Sequence, residues 1–300
     1  MKEYTKEYLK IGMIQPVINP DTSWKKAAPF SLNIDSVSAE RVWGEIKTGL
    51  IEMLKVDGRP DIILIPELHL PVSRVQTIKK LSKKHGVVII SGIDFQSSSV
   101  NRNRIHNRGI ICFPNEINTG QPSLKLTAMQ FGKTYFTYME RSMFSKGIVG
   151  LGVCYPEPEQ NMYIFKSSEL GDFGIMICSD IFDIERMAIY QGQIHHLFVI
   201  SLNKDLNTYF AMAESLTRLL YCNLIICNTG HYGGTLAVSP YNDANERTIY
   251  KYLGQRMFNS HVVNIPLMSL DKAQKFDFIS DNKDGIKFKA SPPGYLIRKD

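Results

Sequence analysis

Gly171-Asp172-Phe173-Gly174-Ile175-Met176-Ile177-Cys178-Ser179-Asp180 carries an apolar run too short for a helix into a cysteine. Polar residues follow, and then a helix-like segment from Ile181 to Tyr190. That order describes a buried strand, a tight turn and a helix start. A thiol at such a turn lies near backbone N–H groups and the positive end of a helix, which lowers its pKa and favours the thiolate. The same residues also fit an inert buried cysteine, free cysteines being among the most buried residue types. The rest of the chain decides between these readings.

Outward from this segment the same strand–turn–helix order recurs. Upstream, Leu9 to Val17 reads as a strand, Ile18 to Ser31 as a loop containing Pro20 and Pro29, and Ser36 to Val56 as a helix. Asp61 to Ile65 is a continuous apolar run of the kind covered on both faces of a sheet, and it ends in Pro66-Glu67-Leu68-His69. A helix from Val72 to His85 stops at Gly86, and Val87 to Gly92 is the next strand. Asn107 to Phe113 is a fourth strand, and Leu124 to Met129 alternates imperfectly around Lys125 before Gly132-Lys133. Downstream, strands are expected at His196–Ser201, Asn223–Cys227, Leu236–Val238 and His261–Ile265, with a helix from Tyr209 to Tyr221. Alternating strands and helices of this kind make an α/β layered fold.

Composition narrows the function classes. No apolar run approaches the ~20 residues that span a bilayer, and the charged N-terminus lacks a signal-type apolar region, so a cytoplasmic protein with no membrane partner is expected. The net charge of +6 comes from scattered Lys and Arg, which does not call for nucleic acid. Five cysteines without C-x-x-C spacing read as free thiols, and His195-His196 has no matching ligand spacing, so neither metal nor cofactor is expected. Periodicity fades from about Leu270, which divides the chain into a core domain, 1–269, and an extension or arm, 270–300.

A strand-end glutamate, a lysine within a strand-like run and a strand-end cysteine make a chemically coherent set. The cysteine needs a base to take its proton and return it to a leaving amine, and a carboxylate in a dry pocket can do this. A tetrahedral intermediate needs positive charge and N–H donors at its oxyanion, which a lysine and the Ser179 amide can supply. Phe182, Asp183 and Asn203 follow strand ends and, with Ser179, are candidate pocket residues; ordinary packing is the other reading of the first three.

Four pieces of sequence then carry a resemblance. The apolar strand ending in Pro66-Glu67 comes first, and Asn107 opening a strand ahead of Leu124-Lys125-Leu126 comes second. Glu140-x-x-x-Phe144-x-x-Gly147 follows, and then Gly174-x-x-x-Cys178-x-Asp180 with Glu185 further on. In this order they resemble the nitrilase, or carbon–nitrogen hydrolase, superfamily over roughly Leu9 to Pro266. The resemblance implies a four-layer α-β-β-α sandwich, assembly as a homodimer or higher homo-oligomer, and a Glu-Lys-Cys triad. It makes Glu67 the general base and later acid, Lys125 the oxyanion stabiliser, Cys178 the nucleophile and Glu140 the group that orients the lysine. Lys125 is preferred to Lys133, because Lys133 lies too close before Glu140 for the family's usual gap. Departures are Ser179 in place of an aromatic, Ile184 in place of a proline, Thr235 in place of a serine, and inserts at Asn19–Ser31 and Gly150–Gln160.

The implied activity is hydrolysis of a small-molecule amide or nitrile through a cysteine thioester. An N-acyltransferase using the same thioester is one alternative. A nitrilase-like scaffold or sensor domain in a larger assembly is the other.

Overall fold

Apolar runs rich in Ile and Val form the centre of two sheets in the computed structural model, which describes residues 4–26, 32–55, 58–145, 152–276 and 287–295. Gly147 of the third motif, residues 27–31 and 150–151 of the two inserts, and 277–286 and 296–300 of the extension lie outside the described residues. The strands of the two sheets are β1 (Tyr8–Gln15), β2 (Ile62–Leu70), β3 (Val88–Ile93), β4 (Arg108–Pro114), β5 (Leu126–Gly132), β6 (Ile164–Phe165), β7 (Phe173–Ile177), β8 (His196–Ser201), β9 (Asn223–Asn228), β10 (Thr235–Val238), β11 (Thr248–Tyr252) and β12 (Asn259–Pro266). One sheet has the order β12-β1-β2-β3-β4-β5, the other β6-β7-β8-β9-β10-β11. In each, three central parallel strands have one antiparallel neighbour on one side and two on the other. The sheets thus share one pairing pattern, although the sequence carries no visible repeat.

The period of two along β2 builds the layers. Ile62 and Leu64 pack in one core cluster with Phe198, Ile200, Leu224 and Ile226 of the other sheet. Ile63 and Ile65 pack instead with Val42, Ile46 and Leu50 of α1 (Ser36–Lys55) and Ile78 of α2 (Val75–His85). On the far side, a Cβ at Gly174 of β7 would come within 2.6 Å of the ring of Tyr190, which belongs to a covering helix. The result is the expected α-β-β-α arrangement. Gly86 closes α2 as expected, in the left-handed conformation with its N–H on the Ser82 carbonyl.

Three local expectations need correction. Within the Ile18–Ser31 loop, Trp24–Lys26 is a short strand paired antiparallel with Leu32–Ile34. The segment after Cys178 is not one helix. Cys178–Phe182 makes a 3₁₀ turn, Asp183 accepts the Glu185 and Arg186 N–H groups as cap, and an α-helix begins only at Ile184. The helices of more than four residues that follow α2 are therefore α3 (Tyr138–Ser145), α4 (Ile184–Tyr190), α5 (Leu206–Leu219) and α6 (Met268–Lys275), with a single turn at Ala244–Arg247 between the last two. Third, order does not fade at Leu270. The line expected after residue 269 falls inside α6, and Leu270 and Ala273 pack with Tyr221, Phe288 and Tyr295.

Candidate active site

β2 delivers Glu67 to its carboxyl end through a break in register with β3 between Ile65 and Leu70. Leu68 has φ 62°, a left-handed conformation that costs a non-glycine residue on the order of 1 kcal/mol or more. Gly92 on β3 is required there, because a Cβ would come within 2.4 Å of the Glu67 Cα. Burial holds His69 neutral, its pKa pushed down to about 4. Its Nδ1–H donates to the Glu67 carbonyl at 2.6 Å, and its Nε2 accepts from the Thr229 hydroxyl at 3.0 Å. The carboxylate is thereby aimed from its own backbone.

Glu67 is 2 % exposed and takes three donors. Oε1 accepts from Asn107 Nδ2 and Lys133 Nζ, both at 2.7 Å, and Oε2 accepts from the Leu202 N–H at 2.9 Å. Glu140, in the first turn of α3, accepts from Asn107 Nδ2 at 2.8 Å, from Lys133 Nζ at 2.7 Å, and from the Thr137 N–H and hydroxyl. Lys133 and Asn107 therefore each bridge the two carboxylates. Burial raises the Glu67 pKa; Lys133 opposes that shift and Glu140 adds to it. For Lys133, burial acts against the charge, but Glu140 and Glu67 overcome it and hold the pKa well above its ordinary value.

The lysine of this cluster is Lys133, not the expected Lys125. β5 runs antiparallel to β4 with Gly132 opposite Arg108, and the Lys133 N–H donates to the Asn107 carbonyl at 2.9 Å. That register carries Lys133 to the edge where Glu67 ends. Lys125 precedes the other end of the strand, roughly 25 Å away along an extended chain, and is exposed. Most of β5 is a sheet edge facing solvent, so alternation there does not aim a lysine at the core.

Cys178 follows β7 with φ 47° and is 3 % exposed. The Tyr209 hydroxyl on α5 donates to Sγ at 3.3 Å. The expected thiolate is not favoured at rest. Burial, and then Glu67, push the thiol up to about 12, with Lys133 partly offsetting them. The physical reason is that the thiol is buried, with Glu67 close by, while the helix that would favour a thiolate begins only at Ile184, past the 3₁₀ turn. Asp180 ties this turn to the lysine segment by accepting the Thr134 and Tyr135 N–H groups. Arg186 Nη1 lies 3.5 Å from the same carboxylate.

Glu67, Lys133, Glu140 and Cys178 line one cavity of about 200 Å³. Asn203 also lines it, and its N–H donates to Asn228 Oδ1. The other expected pocket residues have different surroundings. The Ser179 hydroxyl donates to the Tyr135 carbonyl, Phe182 stands edge-on to Tyr209, and Asp183 caps α4 and pairs with Arg186. Tyr209 was not legible as a site residue, because Tyr209, Ala213 and Leu216 share the spacing of an ordinary core-facing helix stripe. Lys133 had a usable signal: an antiparallel pairing of its strand with the one that Asn107 opens brings it beside Asn107. Among the described residues no three His, Cys, Asp or Glu side chains are grouped to hold a metal ion, and no helix is long and apolar enough to cross a membrane.

By sequence, the chain matches no protein-family profile and no curated protein. Solved structures do resemble it. One is an amidase from Nesterenkonia sp., described elsewhere as a nitrilase-superfamily amidase, at 11 % identity and TM-score 0.57, covering 88 % of this chain and 92 % of that one. A mutant of that amidase, with the acetamide moiety of fluoroacetamide added covalently at its active site cysteine, aligns at 11 % identity and TM-score 0.59, covering 88 % and 93 %. Saccharomyces cerevisiae Nit3, a member of branch 10 of the nitrilase superfamily, aligns at 13 % identity and TM-score 0.60, covering 95 % and 98 %. The chain therefore has the fold of these nitrilase-superfamily structures.

Proposed function

We propose that this chain is a divergent carbon–nitrogen hydrolase that cleaves a small-molecule amide through a thioester on Cys178, with Glu67 as proton carrier and Lys133 as oxyanion stabiliser. The observation that carries this reading is the carboxylate–ammonium–carboxylate chain Glu67–Lys133–Glu140, buried in the same cavity as a cysteine held in a left-handed turn. Two buried charges of one sign bridged by a single ammonium are costly for stability alone, which points to a chemical use.

The steps follow from the proton inventory. As the amide carbon approaches, the Cys178 proton passes to Glu67 and an S–C bond forms. The carbonyl oxygen becomes an oxyanion beside Lys133, whose charge is fixed by its two carboxylates. The intermediate collapses, the C–N bond breaks, and Glu67 returns the proton to the departing ammonia. Water then attacks the thioester, again giving a proton to Glu67, which restores the thiol as the carboxylic acid leaves. The raised thiol pKa suits this order: the nucleophile is neutral at rest and ionises only as substrate charge develops. Glu140 and Asn107 hold Lys133 and Glu67 in register.

The fluoroacetamide adduct on the active site cysteine of the Nesterenkonia enzyme supports a cysteine-based reading by analogy of fold. The test is ammonia release from a panel of primary amides, with intact-mass detection of an acyl adduct on Cys178. Cys178→Ala is expected to abolish turnover and the adduct while leaving the unfolding transition in place. Retention of full activity in that variant rules the mechanism out.

A further inference from the structure

Chemistry of the reacting groups leaves the acyl half of the substrate undefined, and the cavity walls speak to it. Apart from the reacting cluster, the lining is dominated by Pro20, Trp24, Leu68, Phe95, Met139 and Met143. Trp24 and Phe95 are buried and meet edge to face at 5.9 Å, and Phe95 continues edge to face onto Phe144. The two charged residues outside the cluster, Lys204 and Asp205, are exposed and so belong to the water-facing side. Among the described residues, this aromatic wall carries no charge to neutralise an ionic acyl group. A carboxylate on the acyl group would be a third beside Glu67 and Glu140, against which Lys133 supplies only one positive charge.

Trp24 comes from the short strand within the Asn19–Ser31 insert, and a buried carboxylate holds it in place. Asp94 Oδ1 accepts the Trp24 indole N–H at 2.7 Å and the Phe95 N–H at 2.8 Å, while Oδ2 accepts the Ile34 N–H at 3.1 Å. One side chain thus fixes the tryptophan, the adjoining strand and the neighbouring phenylalanine together. Asp94 does not line the cavity. It acts through Trp24 and is a positioning residue.

We infer that the site selects primary amides with an uncharged, apolar acyl group no larger than about a phenyl ring, and that Trp24, braced by Asp94, sets that limit. The inference rests on the amide-hydrolase reading above and adds its substrate class. Size follows from the cavity of about 200 Å³, since an apolar cavity of roughly 150 Å³ accommodates benzene. Within that limit each added methylene enters the apolar wall and is expected to raise kcat/KM about fourfold.

The experiment is a series from acetamide to octanamide, with benzamide and succinamate, assayed on the wild type, Trp24→Ala and Asp94→Asn. Each amide is also titrated onto Cys178→Ala by ligand-observed NMR. Wild type is expected to rise along the series to about hexanamide and benzamide, then fall, and to reject succinamate by more than 100-fold. Trp24→Ala should lose the rise among short amides and accept octanamide, and Asp94→Asn should flatten the same slope to a lesser degree. A uniform loss across all amides in Trp24→Ala, or acceptance of succinamate, overturns the inference. If the wild type releases ammonia from none of them, the hydrolase reading fails. The binding series on Cys178→Ala then judges the acyl wall separately: a chain-length rise supports it, and a flat or absent response overturns it.

Discussion

Lys133 is the residue on which the electrostatics of the site depend. Its ammonium stands 2.7 Å from each of two buried carboxylates, and no other basic side chain is paired with either of them among the described residues. Removing it leaves like charges facing each other without a counter-ion. Lys133→Met is therefore expected to cost about 3–5 kcal/mol of stability, the range for breaking a buried ion pair, and to abolish turnover. Lys125→Ala removes an exposed side chain remote from the cavity and is expected to change stability by less than about 0.5 kcal/mol, with turnover unaltered. Denaturant unfolding and amide hydrolysis on the two variants check both statements. Equal effects in the pair would contradict the site as described.

At the scale of elements, the site exists because several segment ends converge. β2 supplies Glu67, the residue after β5 supplies Lys133, α3 supplies Glu140, and the 3₁₀ turn after β7 supplies Cys178. Asp180 is the tie between the last of these and the lysine segment, since its carboxylate accepts two successive N–H groups just beyond Lys133. Asp180→Asn keeps the shape but weakens those charge-assisted bonds. A loss of roughly 1.5–3 kcal/mol of positioning corresponds to about ten- to hundredfold in turnover. Faster amide exchange at Thr134 and Tyr135 should accompany the loss. Reduced turnover with unchanged exchange would mean that Asp180 acts in some other way. Much of this scale was readable from sequence: α1, α2 with its Gly86 stop, and the central strands follow periodicity. The strand at Trp24–Lys26 was not, because three residues show no period and its partner lies across intervening chain.

For the molecule as a whole, Asp94 links the insert to the first sheet and makes stability depend on pH. Burial pushes its pKa up to about 6 from the ordinary 3.8, against the hydrogen bonds from Ile34, Trp24 and Phe95. The folded value lies above the unfolded one, so the folded state binds this proton more tightly. The resulting contribution is full below about pH 4 and is lost as the pH rises through about 6, an amount of about 3 kcal/mol. Denaturant unfolding of wild type and Asp94→Asn from pH 4 to 7.5 should show the difference in stability between them moving against wild type by up to that amount. A difference that stays constant with pH would show that Asp94 titrates normally.

Sequence alone was enough for what short stretches record. Apolar runs showed which segments are buried strands, and strand ends showed where Glu67 and Cys178 fall, because burial of a strand and the turn that ends it are written in neighbouring residues. The choice of Lys133 over Lys125 is recorded in no single stretch. That choice depends on an antiparallel register set across the chain from Pro114 to Leu126, which places Lys133 beside Asn107. The resting state of the thiol was equally out of reach, since burial first, and then carboxylates from β2 and α3, raise its pKa through tertiary packing. Local pattern determines which face of a segment is buried; only tertiary packing determines which ends meet and what charges they share.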